Sequence, residues 1–382
     1  MPYTDPDGFK SPGQIVQATL ERKGWTQRVL ALVLDVHETS INKVISDRKS
    51  ITAELALALG EVLQLDPERL LQLQKSYDLA KARIKARPDP GRNLRAHLLG
   101  GLPVSEMIRR GWIRADSIRD VETVESELAR FFGVPSAKEI EILPHAARKT
   151  EVTSEATPVQ MAWLYRVKHI ASEMLVRKYT PMKGRGAVKA LQSLLISPEA
   201  SRKAPRILSE SGIRFVIVEA LSGSKIDGAC FWLNEISPVI GMTLRYDRID
   251  NFWFVLRHEL EHIIQGHGKT AVMLDAELEG DRAGTGPTLS EEERIANEAA
   301  ADFCVSQQKM RMFISRKDPY FAEKDVIAFS KMLGVHPGLI AGQLQHYTGR
   351  YNLFRKHLAK IRPSVGPSAV VDGWGDVVPV DE

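Results

Sequence analysis

The sequence predicts an α+β protein with an all-helical N-terminal domain, a helical middle region and a C-terminal domain in which a small β-sheet precedes a long helix. Three observations carry this. Up to about Arg87, apolar residues recur at helical spacing through Leu20, Val29, Leu30, Leu34, Ile41, Val44 and Ile45, with Gly24 and Asp35 at the breaks. After Gly212 the pattern changes to short β-branched runs bounded by Gly, Asn and Ser-Pro, which read as strands. A helical period then returns through Phe252, Val255, Leu256, Leu260, Ile263 and Ile264.

Taken in order, residues 1–87 are the first domain. The run Arg87-Pro88-Asp89-Pro90-Gly91 cannot continue a helix and reads as a linker. Residues 88–208 stay helical, with breaks at Gly100-Gly101, Gly133-Val134-Pro135, Pro158, Gly184 and Pro198, and show no legible chemistry. In the third domain, residues 209–362, strands are expected at 213–219, 228–233 and 238–244 and a helix at 251–266. A polar, Gly-rich, acidic loop follows to about Pro287, and then helices at 290–312, 324–333 and 337–346. Residues 363–382 mix Pro, Gly, Ser and acids without a period and are expected to be mobile. There is no internal repeat.

A length of 382 residues allows two or three domains with real cores, which excludes disorder as the dominant state. The 52 basic and 48 acidic residues nearly cancel to +4, but they are segregated. Lys81, Arg83, Lys85, Arg87, Arg92 and Arg95 face only Asp89 within their stretch, whereas residues 275–302 are strongly acidic. Two cysteines, Cys230 and Cys304, cannot build a disulfide framework, and the N-terminus lacks the basic-then-apolar pattern of a secretory signal. A reducing cytoplasm is expected. No apolar run approaches the roughly 18–20 residues that span a bilayer, so no membrane partner is expected.

The chemistry-bearing motif is His258-Glu259-Leu260-Glu261-His262. Histidines at i and i+4 share one helix face, so their ring nitrogens converge on one ion. The intervening Glu259 is close enough to take a proton from water at that ion, which is the geometry of a zinc hydrolase. A catalytic zinc needs a third protein ligand. Glu293 shares the inward face of the later helix with Ala296, Ala299, Ala300 and Phe303 and is favoured on that ground, with Glu298 as the alternative. Glu261 reads as a surface or supporting group and His267 as solvent-exposed. His336 and His346 are within conceivable reach of the site. Tyr246, His267 and His346 are the candidates for stabilising an oxyanion.

These residues resemble the ImmA/IrrE-type zinc metallopeptidases. The match runs through Arg248-Ile249-Asp250-Asn251-Phe252, His258 to His262, and Glu293-Arg294-Ile295-Ala296-Asn297. The resemblance implies a zincin-like fold, Zn2+ held by His258, His262 and Glu293, and Glu259 as general base. The sequence departs from that pattern at Glu261, where a small residue is usual, at Ala299 and at Cys304-Val305-Ser306.

A second motif lies near the N-terminus. One helix begins at Thr26, a turn follows at Leu34-Asp35-Val36, and a second helix starts at His37 or Glu38, with Ala31 small enough for close helix contact. Ile41, Val44 and Ile45 face inward, while Glu38, Thr39, Asn42 and Lys43 have the lengths and polarity to reach base edges. Gln27 and Arg48 suit phosphate contacts, and the basic stretch after Leu79 offers more. Residues 12–83 resemble the helix-turn-helix of HigA-type antitoxins within the Xre-like repressors. The match is carried by Gly24-Trp25-Thr26-Gln27, Ser40-Ile41-Asn42-Lys43-Val44-Ile45, Ile51-Thr52-Ala53-Glu54 and Leu73-Gln74-Lys75-Ser76-Tyr77-Asp78-Leu79-Ala80. It implies a homodimeric repressor on palindromic double-stranded operator DNA and adds Ser40 to the reading surface.

Together the motifs predict a DNA-binding transcriptional regulator with a zinc-dependent endopeptidase domain that cleaves a protein, a repressor or itself. The alternative is a HigA-like antitoxin or repressor, with a cognate toxin as partner. Its metallopeptidase-like domain would be a sensor or partner-binding module.

Overall fold

The computed structural model describes residues 5–86, 91–140, 156–269, 272–276 and 290–380, which fall into two compact units, Met1–Gly91 and Arg92–Glu382. The expected linker at 87–90 and the central part of the acidic loop, 277–289, lie outside the described residues.

The first unit is five helices: α1 (Pro12–Lys23), α2 (Gln27–Val33), α3 (Glu38–Ile45), α4 (Ala53–Leu63) and α5 (Pro67–Lys85). Side chains of Ser11, Thr26, Thr52 and Asp66 accept from backbone N–H groups at the starts of α1, α2, α4 and α5. Helix α1 ends at Gly24, whose φ of 67° is left-handed backbone that suits glycine. Val16, Leu20, Leu30, Ala31, Ile41, Val44, Leu59 and Leu70 form one core, so the helical-period residues of the sequence converge as their spacing implies. Asp47 accepts from Ser11 Oγ at 2.5 Å and from the Gly13 N–H at 3.0 Å, tying the start of α1 to the end of α3. A side chain at Gly13 would lie 2.4 Å from the Ile45 carbonyl, so only glycine permits that approach.

The second unit begins with α6 (Arg92–Gly101), α7 (Val104–Arg109), α8 (Val121–Phe132), α9 (Pro158–Glu173), α10 (Pro181–Gln192) and α11 (Ala204–Glu210). Strands β1 (Arg214–Val218), β2 (Ile226–Trp232) and β3 (Pro238–Met242) lead to α12 (Ile249–Gln265) and β4 (Met273–Ala276). Helices α13 (Glu291–Cys304), α14 (Gln307–Lys317), α15 (Glu323–Leu333), α16 (Pro337–Thr348) and α17 (Arg362–Val365) precede β5 (Val370–Asp372). The sheet is mixed, in the order β4-β2-β3-β1-β5, with β1 parallel to β3 and β5 and with β2 antiparallel to β3 and β4.

The central strands are largely apolar because both faces are covered. Val216, Val218, Ala229, Phe231 and Val239 pack on the α9 side with Trp163 and Val167. Phe215, Ile217, Cys230, Ile240 and Met242 pack on the α12 side with Phe252, Trp253, Leu256 and Leu260. The helices before residue 208 therefore share the sheet's own core, and the boundary expected there does not separate compact units.

Three expectations need correction. The helix expected at 290–312 is two helices, broken at Val305-Ser306, with Asp302 Oδ1 accepting from the Gln307 N–H at 2.8 Å. The acidic loop contains β4, a strand of four residues and so too short to show alternation in the sequence. Residues 363–380 are not a loose tail. In β5, Val216 pairs with Val370 and Ile217 with Val371, and the buried Asp372 accepts from Arg166 Nε at 3.0 Å, Arg166 Nη2 at 2.8 Å and Trp112 Nε1 at 2.7 Å.

That ion pair yields a stability prediction. The Arg166 and Asp372 side chains are 5% and 2% exposed, so Asp372→Asn leaves a buried guanidinium without its counter-charge. A loss of about 3–5 kcal/mol is expected, read as a lowered urea midpoint for the second unit's transition.

Candidate metal centre and nucleic-acid interface

Helix α12 is buried almost all round, from Ile249 to Ile263, and ends at Gly266, φ 82°. Its first turn is held by Arg248, which donates to both Asp250 oxygens and to Gln345 Oε1 at 3.2 Å. A helix fixed this firmly carries His258, Glu259 and His262, each with no exposed surface, against β2. Gly228 of β2 makes room for them: a Cβ there would stand 2.2 Å from Glu259 Oε1. Helix α13 starts at Ser290, whose Oγ accepts from the Glu293 N–H at 3.2 Å, and presents the buried Ala296 and Ala300. These small residues let α13 lie close along α12, which delivers Glu293 to the histidines.

The donor atoms converge. His258 Nε2 and His262 Nε2 are 3.0 Å apart. Glu293 Oε2 lies 3.4 Å from His258 Nε2, and its Oε1 lies 3.4 Å from His262 Nε2. Asp275 Oδ2, from β4, lies 3.3 Å from His258 Nε2. The four groups place ligand atoms within 4.8 Å of one another.

Supporting contacts fix the ring orientations. His258 Nδ1 faces Asn297 Oδ1 at 3.1 Å, so Nδ1 carries the hydrogen and Nε2 is turned to the centre. His262 Nδ1 is 3.0 Å from His267 Nδ1. His267 is thus a support for His262 with its side chain 20% exposed, rather than a free surface residue. Glu261 is also buried: it accepts from Arg257 Nη2 at 2.6 Å and Gln265 Nε2 at 2.7 Å. Glu298 turns outward to Arg294 Nη1 at 2.5 Å, so of these two acids of α13 it is Glu293 that reaches the histidines.

The electrostatics favour a cation. Burial, then the Asp275 and Glu293 carboxylates, push the Glu259 carboxyl well above the usual range. Burial alone would lower His258, but Asp275 and Glu293 outweigh it and lift the imidazole to about 9. Burial and the neighbouring His258 lower His262. Neither Glu259 oxygen, nor Asp275 Oδ2, has a hydrogen-bond partner among the described residues. Buried polar atoms left this way are costly, and three carboxylates around two imidazoles are balanced by positive charge in their midst. The set therefore fits a metal ion. Sequence reasoning missed Asp275 and Asn297. Asn297 stood inside the quoted Glu293–Asn297 motif, whereas only the β2–β4 pairing brings Asp275 to the site.

In the first unit, α2 and α3 are joined by a tight turn with Asp35 at φ 51°. Ile41 and Val44 are buried, while Glu38, Thr39, Asn42, Lys43 and Arg48 are exposed. Asn42 Nδ2 donates to Gln27 Oε1 at 3.3 Å, and Ser40 Oγ accepts from Lys49 Nζ at 2.7 Å. The helix pair and the buried cluster define the molecule's class: a helix-turn-helix DNA-binding domain joined to a unit with a candidate metal site.

Residues 16–70 match the helix-turn-helix family model. Over 71 residues the chain is 27% identical to an uncharacterised HTH-type transcriptional regulator, YddM, of Escherichia coli (strain K12), a match covering 19% of this chain and 76% of that protein. It also matches the structure of an addiction module antidote protein of the HigA family from Coxiella burnetii at 25% identity, covering 20% of this chain and 95% of that one, with a TM-score of 0.17.

The Asn297 contact is testable. Asn297→Ala frees the His258 ring, and metal affinity is expected to fall about 10–100-fold in competition with a chromogenic chelator, with the fold unchanged by circular dichroism.

Proposed function

We propose that this chain is a DNA-binding transcriptional regulator whose second unit is a zinc-dependent endopeptidase acting on a protein substrate. The observation that carries the reading is the fully buried, unpartnered Glu259 carboxylate beside the converged His258 and His262 Nε2 atoms and Glu293. Zn2+ suits two imidazoles and a carboxylate and would supply Lewis acidity at the scissile carbonyl.

The chain's own groups do the remaining work. His258 and His262 hold their lone pairs inward because Asn297 and His267 occupy the opposite ring nitrogens. Glu259, fully buried beside the converged ring nitrogens, would take the proton of the attacking water and deliver it to the leaving amine. The substrate is a protein, a repressor or the chain itself, in keeping with a peptidase tethered to a DNA-binding domain.

For the first unit, the reading is a homodimer on palindromic operator DNA. The side chains of α3, Glu38, Thr39, Ser40, Asn42 and Lys43, face the major groove, while Gln27 and Arg48 set the register on phosphates.

Two measurements check these assignments. Glu259→Gln is expected to retain metal but abolish cleavage of a verified substrate, and full activity in that variant contradicts the mechanism. In binding assays across salt, Arg48→Ala is expected to weaken all sequences alike and reduce the salt slope by about 1. Asn42→Ala should instead cost about 1–3 kcal/mol at one operator position and relax discrimination there; indifference to base identity excludes Asn42 as a reader.

A further inference from the structure

A peptidase zinc requires three protein ligands and an open fourth position, whereas a structural zinc is closed by four. The cluster here offers four donors, His258, His262, Glu293 and Asp275, of which Glu293 reaches both imidazoles and Asp275 reaches His258 at a similar distance. Zinc bonds of about 2.0–2.1 Å place neighbouring ligand atoms of a tetrahedron about 3.3–3.4 Å apart. Asp275 stands 3.3 Å from His258 Nε2, and Glu293 stands 3.4 Å from each histidine. The Asp275 side chain is 8% exposed and turned into the centre, where its Oδ2 meets His258 Nε2.

The carrier of Asp275 differs from the carriers of the other three. His258, His262 and Glu293 come from two long helices in mutual contact. Asp275 comes from β4, a four-residue strand at the sheet margin, held by antiparallel pairing to β2. That pairing matches Gly228 with Asp275, and Gly228 is also the residue against which Glu259 rests. An irregularity in register between Ile226 and Gly228 interrupts the ladder beside Asp275. The same strand covers the outer edge of β2. An extended peptide binds a sheet by adding a strand to a free edge, and β2's edge away from β3 is taken by β4.

We propose that β4 is an autoinhibitory strap: Asp275 is the fourth metal ligand of a closed, latent centre, and withdrawal of β4 opens both the fourth coordination position and the β2 edge to a peptide. This rests on the reading of the second unit as a metallopeptidase and adds its regulation. Asp275 acts by occupying the place of water, and β4 by occupying the place of substrate.

The test uses the full chain loaded with Co2+, whose visible absorption reports coordination, and acetohydroxamate as a small chelating probe of an open position. Wild-type protein is expected to show a four-coordinate spectrum that acetohydroxamate leaves unchanged. Asp275→Asn is expected to bind Co2+ about tenfold or more weakly, to shift its spectrum with acetohydroxamate, and to cleave an unstructured protein such as casein faster than wild type. A wild-type spectrum that shifts with acetohydroxamate overturns the closed centre whatever the variant's fold. So does an Asp275→Asn protein with unchanged affinity and spectrum, which would reduce Asp275 to an ion-pair partner of His258. Failure of the underlying reading looks different: Co2+ affinity is then unaffected by His258→Ala and Glu293→Gln, and the wild-type spectrum is that of the free ion.

Discussion

The second unit is organised around one electrostatic constraint. Glu259, Asp275 and Glu293 crowd around His258 and His262 where water has little access. Such a group of like charges is unfavourable in a low-dielectric interior unless positive charge lies among them. The fold meets the demand by rigidity: α12 is enclosed on nearly every side, and Gly228 and Gly342 let β2 and α16 approach it where a Cβ would collide with Glu259 and Asp250. Ala296 and Ala300 do the same for α13. A looser frame would let the carboxylates separate and find water, and the attraction for a cation would weaken with them.

The parts of this arrangement legible in the sequence were those with a local period. Strands β1 to β3 showed as apolar runs because both their faces are buried, and α12 showed by its spacing. The paired histidines and Glu259 were readable because a helix fixes the geometry of i, i+1 and i+4 without help from the fold. Glu293 was reachable by the same logic, through its alignment with Ala296 on one face, and the structure brings it to both imidazoles. The helix pair of the first unit was equally open to this kind of reading, since its caps and buried positions are local.

What stayed hidden depends on contacts between distant segments. Strands of four and three residues, β4 and β5, are too short for a pattern, and their stability comes from β2 and β1. Asp372 looked like one acid in a Pro- and Gly-rich tail. Its role is set by Arg166, 206 positions earlier in the chain, and by an indole N–H that needs an acceptor once Trp112 is buried. Asp275 was lost among acids for the same reason. His267 was misjudged because its contact with His262 follows from the left-handed turn at Gly266, which folds the chain back over the helix end.

The mixture of carriers at the metal cluster has a physical logic of its own. Opening free energies vary across a structure, from near zero at lightly held margins to the full stability of the core. Ligands on α12 and α13 sit at the high end: moving His258 or Glu293 means unpacking helices that form the main core with Phe252, Trp253 and Phe303. A ligand on β4 sits at the low end, because only one neighbouring strand holds it and that ladder is irregular beside Asp275. An anionic oxygen on a marginal strand and imidazoles on a core helix therefore differ in how easily the fold can move them away from the cluster.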